Sequence, residues 1–177
     1  ITAGYHRLWS HKTYHAHPLL RLIFALGGAC ALQNDILHWA SDHRRHHQFV
    51  DNNEKDPYSA KRGFWFSHIG WILRNYKSGE EDLSNVKDLL QDAIVVFQHN
   101  HYLKLVLLTN VGLPSLLGLI NGNVIGCLLL GGLLRLVLSQ HSTYLINSAA
   151  HIWGRQPYSN STSARDNSFL ALLTYGE

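Results

Sequence analysis

Hydrophobic positions are concentrated in two long runs in the second half of the chain. Residues 103–120 and 124–146 are mostly apolar, and the turn sequence Asn-Gly-Asn separates them. Runs of about 18–23 residues are long enough to cross the hydrocarbon core of a bilayer as helices. The pattern therefore predicts a transmembrane hairpin over 103–146, with a buried hairpin of a soluble protein as the alternative. Its two polar interruptions, Asn110 and Arg135, are expected to face protein or to reach the interface.

Shorter apolar stretches lie in the first half of the chain. Leu19–Leu32 is too short for a span and predicts a core or interfacial helix, which Pro18 starts. Residues 63–74 are aromatic and amphipathic, which is typical of a membrane interface. Together these elements predict an all-α, membrane-embedded protein, with one domain over residues 1–177 and a histidine-rich helical cap beside the hairpin.

A hairpin also predicts which parts of the chain share a side of the membrane. Its two ends lie on the same side, so His151, just after the second run, returns to the side of residues 1–102. Lys104 and Arg155 lie on that side as well. Because basic residues favour the cytoplasmic side, we expect an integral membrane protein with this face in the cytoplasm.

Composition singles out histidine. The chain has 13 His against 15 Lys and Arg and 12 Asp and Glu, and its charged fraction is a low 15%. The only cysteines are Cys30 and Cys127, which excludes a disulfide scaffold and a cysteine zinc site. The one dense basic pair, Arg44 and Arg45, lies among histidines, so the sequence predicts no nucleic-acid partner.

The histidines form three groups. They are HRLWSH at 6–11, HRRHH at 43–47 and NSAAH at 147–151. Residues three and four apart share a helix face, so the histidines of the second group converge, as do the first and last residues of the third. His6 and His11 are five apart, about 140° around an α-helix, which predicts a helix end or a bend.

Such groups are typical of a metal site. Neutral imidazole is the commonest protein metal ligand and suits Fe, Cu, Zn and Ni. Six imidazoles exceed the four positions of one zinc, so the count favours two metals without choosing the element. Asp35 and Asp42 are placed to orient ligating histidines or, alternatively, to cap helices. We interpret the remaining histidines as structural: His15, His17, His38, His68, His99, His101 and His141.

At these residues the sequence resembles the membrane-bound acyl desaturases of the stearoyl-CoA delta-9 type. The similar segments are GYHRLWSH at 4–11, FALGGACALQND at 24–35, WASDHRRHH at 39–47, DPYSAKRGFWFSHIGW at 56–71, NSAAHIWGRQPY at 147–158 and ARDNSFLALLTYGE at 164–177. The resemblance implies a di-iron enzyme that uses O2 to introduce a cis double bond, at the delta-9 position, into a saturated acyl chain on CoA or a lipid. It also implies a lipid bilayer as environment and an electron donor such as cytochrome b5 or a ferredoxin.

The resemblance further implies roles for individual residues. The direct ligands of the two iron ions would be His6, His11, His43, His46, His47 and His151. Asn147 would bind one iron through a water molecule. The acyl tunnel would be lined by Gln33, Asn34, Trp39, Thr143 and Tyr144, the last standing where the family usually has Trp. Arg62 and Arg74 are candidates for binding the phosphate groups of the thioester.

The family pattern extends beyond these segments at both ends. A first transmembrane hairpin precedes GYHRLWSH in the family, and a third histidine box, HxxHH, follows TYGE. The resemblance therefore implies that the sequence is the middle of a desaturase. With six of about nine ligands, residues 1–177 alone are expected to bind iron poorly and to be inactive.

Two alternatives remain open at this point. A di-iron lipid hydroxylase of the same superfamily would share the histidine groups and differ in its product, an alcohol in place of an alkene. A non-enzymatic, histidine-rich membrane protein that binds or moves metal would carry ligands at mid-membrane depth. Only His141 and Asn110 come near that depth in this sequence.

Overall fold

Helices account for the regular structure of this chain. The computed structural model describes residues 1–157, 159–174 and 176. Tyr158, Tyr175 and Glu177, which belong to two of the segments singled out above, lie outside the described residues. Among the described residues, the β-type pairing is a single isolated bridge between Arg155 and Asp166. The predicted all-α class is therefore confirmed.

The helices are interrupted by several π-helical and 3₁₀ segments. The α-helices are α1 (Pro18–Ala31), α2 (Ile36–Phe49), α3 (Trp71–Leu73), α4 (Ala93–Asn100), α5 (Tyr102–Leu107), α6 (Leu113–Ile120), α7 (Val124–Cys127), α8 (Arg135–Asn147) and α9 (Ser168–Leu173). The π-helical segments are Thr2–Ser10, Phe66–Gly70, Leu108–Gly112 and Leu128–Leu134. The 3₁₀ turns are Ala60–Arg62, Lys77–Gly79, Ser84–Val86, Leu89–Gln91 and Ala149–His151.

The chain divides into two compact units. The first unit consists of Ile1–Ser41 and Val86–Gln140, and the second of Asp42–Asn85 and His141–Glu177. The first unit contains the Thr2–Ser10 segment, α1, and α4 to α7. The second unit contains the loop after α2, the aromatic segment at 63–74 and α9.

Side-chain caps fix where the helices of the first unit begin. The imidazole of His17 accepts a hydrogen bond from the Leu19 amide, and Pro18 takes the first helical position, as predicted. Asp35 begins α2, because its Oδ1 accepts from the Leu37 amide at 2.9 Å. Asp92 begins α4 in the same way. These polar residues therefore act as helix starts between apolar segments.

Two continuous helices, Tyr102–Ile120 and Val124–His151, are long and apolar enough to cross a membrane. They include the predicted runs, but the second continues through Asn147 to His151. Helices α1 and α2 pass the same test only if the pair, bent by 80°, counts as one span. The turn of the hairpin requires a glycine at 118, since a Cβ atom there would lie 2.4 Å from the Cα atom of Val124.

Asn110 and Arg135, the two polar interruptions of these helices, make hydrogen bonds within the protein. The guanidinium of Arg135 donates to Asn110 Oδ1, to the Cys30 carbonyl at 2.8 Å and to the Gly131 carbonyl at 2.9 Å. Asn110 in turn donates to the Val106 carbonyl at 3.0 Å. Hydrocarbon offers no hydrogen-bond partners, so polar groups at this depth must pair internally. Of the two orientations left open above, the structure shows the one that faces protein.

Close packing around Tyr5 forms the centre of the first unit. The Tyr5 ring is fully buried against α1, and its hydroxyl accepts a hydrogen bond from Gln98 Nε2 at 2.5 Å. Burial raises the pKa of this phenol far above its ordinary value, so it stays neutral. A Cβ atom at Gly28 would lie 2.0 Å from the Tyr5 ring, whereas one at Gly27 would meet nothing within 4 Å.

We predict that Gly28→Ala destabilises the protein by about 1–3 kcal/mol, the usual cost of overpacking a filled core. Gly27→Ala is the matched control and should be neutral or stabilising by up to about 1 kcal/mol, because Ala favours helix. Thermal unfolding in detergent measures both. Equal melting temperatures for the two variants would contradict the packing described here.

Candidate metal centre

The first histidine group lies on a π-helical segment. The His11 amide bonds to the His6 carbonyl at 3.0 Å, and the His6 amide bonds to the Ile1 carbonyl at 3.1 Å. These are bonds between residues five apart, the repeat of a π-helix. The rings of His6 and His11 consequently lie 4.7 Å apart. The predicted helix end is found at His11, but the winding of the helix, and not a bend, brings the two rings together.

The second histidine group lies on α2, as the spacing predicts. Nε2 of His43 and Nε2 of His47 are 3.1 Å apart, and the two ring centroids are 4.6 Å apart. Two nitrogens bound to one metal at about 2.1 Å, with angles of about 90–109°, lie about 3.0–3.4 Å from one another. The separation of these nitrogens therefore fits ligation of a single ion.

His46 is oriented by a buried carboxylate. Its Nδ1 lies 2.8 Å from Asp56 Oδ1, and Asp56 is fully buried. Asp56 also accepts hydrogen bonds from the amides of Asp51 and Tyr58, both at 3.1 Å. A carboxylate bonded at Nδ1 holds the proton on that nitrogen and leaves Nε2 as a lone pair, the form in which histidine binds a metal.

His151 is oriented in a similar way through a serine. Its Nδ1 lies 2.8 Å from Ser163 Oγ, and the Ser163 hydroxyl donates to the carboxylate of Asp51. The Ser163 amide donates to the other oxygen of Asp51 at 2.6 Å. The His151 ring lies 5.4 Å from the ring of His46. The second and third histidine groups therefore converge within the second unit.

Acids that the sequence analysis did not name also support predicted ligands. Asp42 pairs with Arg45 at 2.5 Å and Asp35 pairs with His38 and His99, while an orienting role for Asp42 or Asp35 toward an iron ligand stays a prediction. The additional carboxylates are those of Asp56, which lies against His46, and Asp51, which acts on His151 through Ser163. Sequence reasoning missed both because they follow α2 in a loop, where no helical spacing applies. The one available signal was the acidic loop DNNEKD directly after the second histidine group.

Three of the predicted substrate residues belong to the first unit. Trp39 is half-buried, with its ring 6.0 Å from Tyr5 and 6.2 Å from His6. Gln33 and Asn34 lie in the connection between α1 and α2, where Asn34 has a left-handed φ of 74°. Trp39 thus lies beside a predicted iron ligand, while a substrate role for all three stays a prediction.

The other predicted substrate residues belong to the second unit. Thr143 and Tyr144 lie on α8, and the Tyr144 side chain is buried. The guanidinium of Arg62 lies over the rings of Phe66 and Tyr76, at 3.5 and 4.4 Å, and Arg74 is exposed. Cation–π contacts hold Arg62 in place while leaving its charge intact. Phosphate binding by Arg62 and Arg74 stays a prediction, as does the water-bridged contact of Asn147, the last residue of α8.

A polar network links the aromatic segment to α8. His68 is buried, with Nδ1 2.9 Å from Ser148 Oγ and Nε2 2.9 Å from His141 Nδ1. Burial, and next the neighbouring His141, lower the pKa of His68, so the ring is neutral at physiological pH. The Ser148 hydroxyl donates to the Tyr144 carbonyl at 2.8 Å. The network fixes the chain next to Asn147.

Comparison with known proteins assigns the sequence of this chain to a family. The family model described as fatty acid desaturase matches residues 1–177. The whole chain aligns with acyl-CoA desaturase 1 of Saccharomyces cerevisiae at 40% identity, covering 35% of that protein. It aligns at 42% identity with Delta(9)-fatty-acid desaturase fat-7 of Caenorhabditis elegans, covering 54%. It also aligns at 42% identity with acyl-CoA Delta12-desaturase of Acheta domesticus, covering 51%.

The chain thus spans about a third to a half of the length of these curated relatives. The match nevertheless covers every residue of the chain and includes all three histidine groups. The chain belongs to the fatty acid desaturase family.

Proposed function

We propose that this chain supplies iron ligands to an O2-dependent acyl desaturase, which introduces a cis double bond into a saturated fatty acyl chain carried on CoA or a lipid. The observation that carries the proposal is the family match over residues 1–177. The relatives are named acyl-CoA and fatty-acid desaturases, which supports an acyl thioester as the substrate class. His46 and His151 of the second unit are each hydrogen-bonded at Nδ1, which leaves Nε2 available to a metal and supports a metal-dependent reaction.

The proposed metal is iron, with two ions per protein. The proposed direct ligands are His6, His11, His43, His46, His47 and His151, with Asn147 acting through a water molecule. The donor set fits the metal, because imidazole nitrogens suit redox-active iron and no thiolate is involved. The 3.1 Å separation of the His43 and His47 Nε2 atoms and the occupied Nδ1 atoms of His46 and His151 support ligation through Nε2.

The mechanism assigns separate tasks to the metal and to the chain. Side-chain acids and bases cannot cleave an unactivated C–H bond, so bound iron together with O2 would supply the oxidising chemistry. Asp56 and Ser163 keep the protons of His46 and His151 on Nδ1, so that both imidazoles stay neutral ligands. Trp39, next to the His6 ring, is proposed to position the acyl chain.

The reaction also needs electrons from outside. Removing two hydrogens from the acyl chain does not supply enough electrons to reduce O2 to water, so an external donor must provide the rest. Cytochrome b5 and a ferredoxin are the proposed donors. Basic residues near the ends of the hairpin support a cytoplasmic location for this face, where such donors are found.

The position of the double bond is proposed to be delta-9. Two relatives at the same 42% identity carry the names Delta(9) and Delta12, so overall identity does not determine the position. A few side chains along the substrate path must set it by geometry. Among the proposed substrate residues, Trp39, Thr143 and Tyr144 are the ones to test.

The decisive experiment expresses the full-length protein, with an electron donor, in a host that lacks its own desaturase. We expect cis-unsaturated acyl chains, with the double bond located by mass spectrometry after derivatisation. Acyl chains that gain a hydroxyl group in place of a double bond would establish the hydroxylase alternative. Unchanged lipids from a protein that binds iron would contradict both the desaturase and the hydroxylase hypothesis.

We predict that His47→Ala in the full-length protein reduces unsaturated product to the level of the empty vector. His47 is exposed and the hydrophobic helices do not contain it, so membrane insertion should be unaffected. His101→Ala is the matched control, since His101 is also exposed and its ring, among the residues that the structure describes, bonds locally to the Phe97 carbonyl at 2.9 Å. Product from His47→Ala at the level of this control would remove His47 from the iron ligands.

We also predict that Asp56→Asn weakens iron binding by about 10–100-fold, the usual effect of losing the group that orients a ligating histidine. An amide has one accepting oxygen and cannot satisfy the donors from His46, Asp51 and Tyr58 together. Iron per chain, measured against free iron concentration, tests this. Glu54→Gln, an exposed carboxylate of the same loop, is the control. Equal iron affinity in the two variants would refute the orienting role of Asp56.

A further inference from the structure

We infer that the first unit contains an additional cation site, formed by Asp35, His38 and His99, which binds a divalent transition metal ion with zinc as the best-fitting element. Each residue offers one ligand atom, and the three atoms lie within 4.8 Å of one another. Neither histidine belongs to the three groups proposed to bind iron. The inferred site is therefore separate in its ligands from the proposed iron centre.

The three groups converge on one oxygen atom. Asp35 Oδ2 lies 2.6 Å from His38 Nδ1 and 3.1 Å from His99 Nδ1. The two imidazole rings stack, with centroids 5.5 Å apart and planes inclined by 26°. Both rings thus direct Nδ1 at the same carboxylate oxygen. The 2.6 Å contact with His38 is a hydrogen bond, and an ion that bound here would displace its proton and separate the two atoms to ligand spacing.

The carboxylate is held in place by the backbone. Asp35 Oδ1 accepts hydrogen bonds from the Leu37 amide at 2.9 Å and from the His38 amide at 3.2 Å. This cap at the start of α2 fixes the carboxylate and leaves Oδ2 to the imidazoles. Asp35 is only 4% exposed, and a buried carboxylate needs a compensating charge. His38 and His99 supply that charge only when they are protonated, whereas a divalent cation at Oδ2 would supply it with both rings neutral.

His99 provides the second, independent observation. Its Nδ1 is buried and, among the described residues, makes no hydrogen bond, because its approach to Asp35 lies outside hydrogen-bond geometry. A buried nitrogen without a hydrogen bond is costly, on the order of 1–3 kcal/mol. A metal ion between the two atoms would satisfy the nitrogen and the carboxylate at once.

Buried hydrogen bonds connect the elements that carry the site. Gln98, the neighbour of His99, is fully buried, and its Oε1 accepts from the Ile36 amide at 3.1 Å while its Nε2 bonds Tyr5. Gln98 thus ties α4 to the start of α2. Ligands presented by such fixed elements lose little freedom on binding an ion.

The ligand set indicates the class of ion. Two imidazoles and one carboxylate, with a fourth position for water, are a common zinc coordination. The same three donors also bind Fe(II) in octahedral sites that keep open positions, whereas zinc needs only one further ligand to complete a tetrahedron. A bound ion would join α4 to the break between α1 and α2, so its expected effect is structural.

The test uses the iron-loaded full-length protein, titrated with Zn2+ in a calorimeter while retained iron is measured. We expect the wild type to bind one zinc per chain and His99→Gln to bind it at least about tenfold more weakly. His101→Gln is the control, because His101 lies between α4 and α5, two residues after His99, and this variant should bind zinc as tightly as the wild type. Zinc-dependent stabilisation against heat should follow the same order.

A second variant covers the case in which His99→Gln does not fold, and a spectroscopic measurement identifies the zinc ligands. His38→Gln should reproduce the loss if His99→Gln fails to fold, and zinc-edge X-ray absorption of the unmodified protein should show two imidazoles and a carboxylate. Equal zinc affinity in wild type and His99→Gln overturns the inference. A zinc shell made only of oxygen, or zinc uptake that occurs only as iron is released, overturns it as well.

Discussion

The arrangement of the second unit depends on one hydrogen bond, between His46 and Asp56. A ligating imidazole must offer one nitrogen as a lone pair, so something else must hold the proton on the other nitrogen. Asp56 does this from a fully buried position. The amides of Asp51 and Tyr58 bond to the same carboxylate, so the loop after α2 folds around it. Asp51 is in turn held where its own carboxylate binds Ser163 and, through it, orients His151.

A different constraint acts on the two helices that are long and apolar enough to cross the membrane. Their surroundings supply no hydrogen bonds, so every polar group has to find a partner in the protein. Arg135 meets this demand with three acceptors, two of which are backbone carbonyls. Both apolar helices contain a π-helical segment, and in the first it ends two residues before Pro114, which has no amide hydrogen to donate. In the first helix, the irregular winding therefore lies beside a residue that cannot complete the regular hydrogen-bond pattern.

Local periodicity made part of this structure predictable. The turn at Asn-Gly-Asn, the start of α1 at Pro18 and the shared face of His43 and His47 depend on neighbours along the chain, and all three were predicted correctly. The winding of the Thr2–Ser10 segment was not, because a spacing of five residues fits a helix end as well as a π-helix. Supporting groups were missed for another reason. Asp56 reaches His46 through loop closure, and His99 reaches Asp35 through tertiary packing, and neither leaves a periodic trace in the sequence.

Asp35 and Asp56 show how the same side chain can serve two tasks. Both are buried carboxylates that accept hydrogen bonds from backbone amides and lie against imidazoles. Asp56 meets one imidazole, and a single proton between them satisfies both groups. Asp35 meets two imidazoles at one oxygen, and one of them makes no hydrogen bond there. One proton can satisfy a carboxylate and one ring, whereas a cation with several coordination positions can satisfy a carboxylate and two. The number of rings per oxygen therefore separates a carboxylate that orients a ligand from one that acts as a ligand.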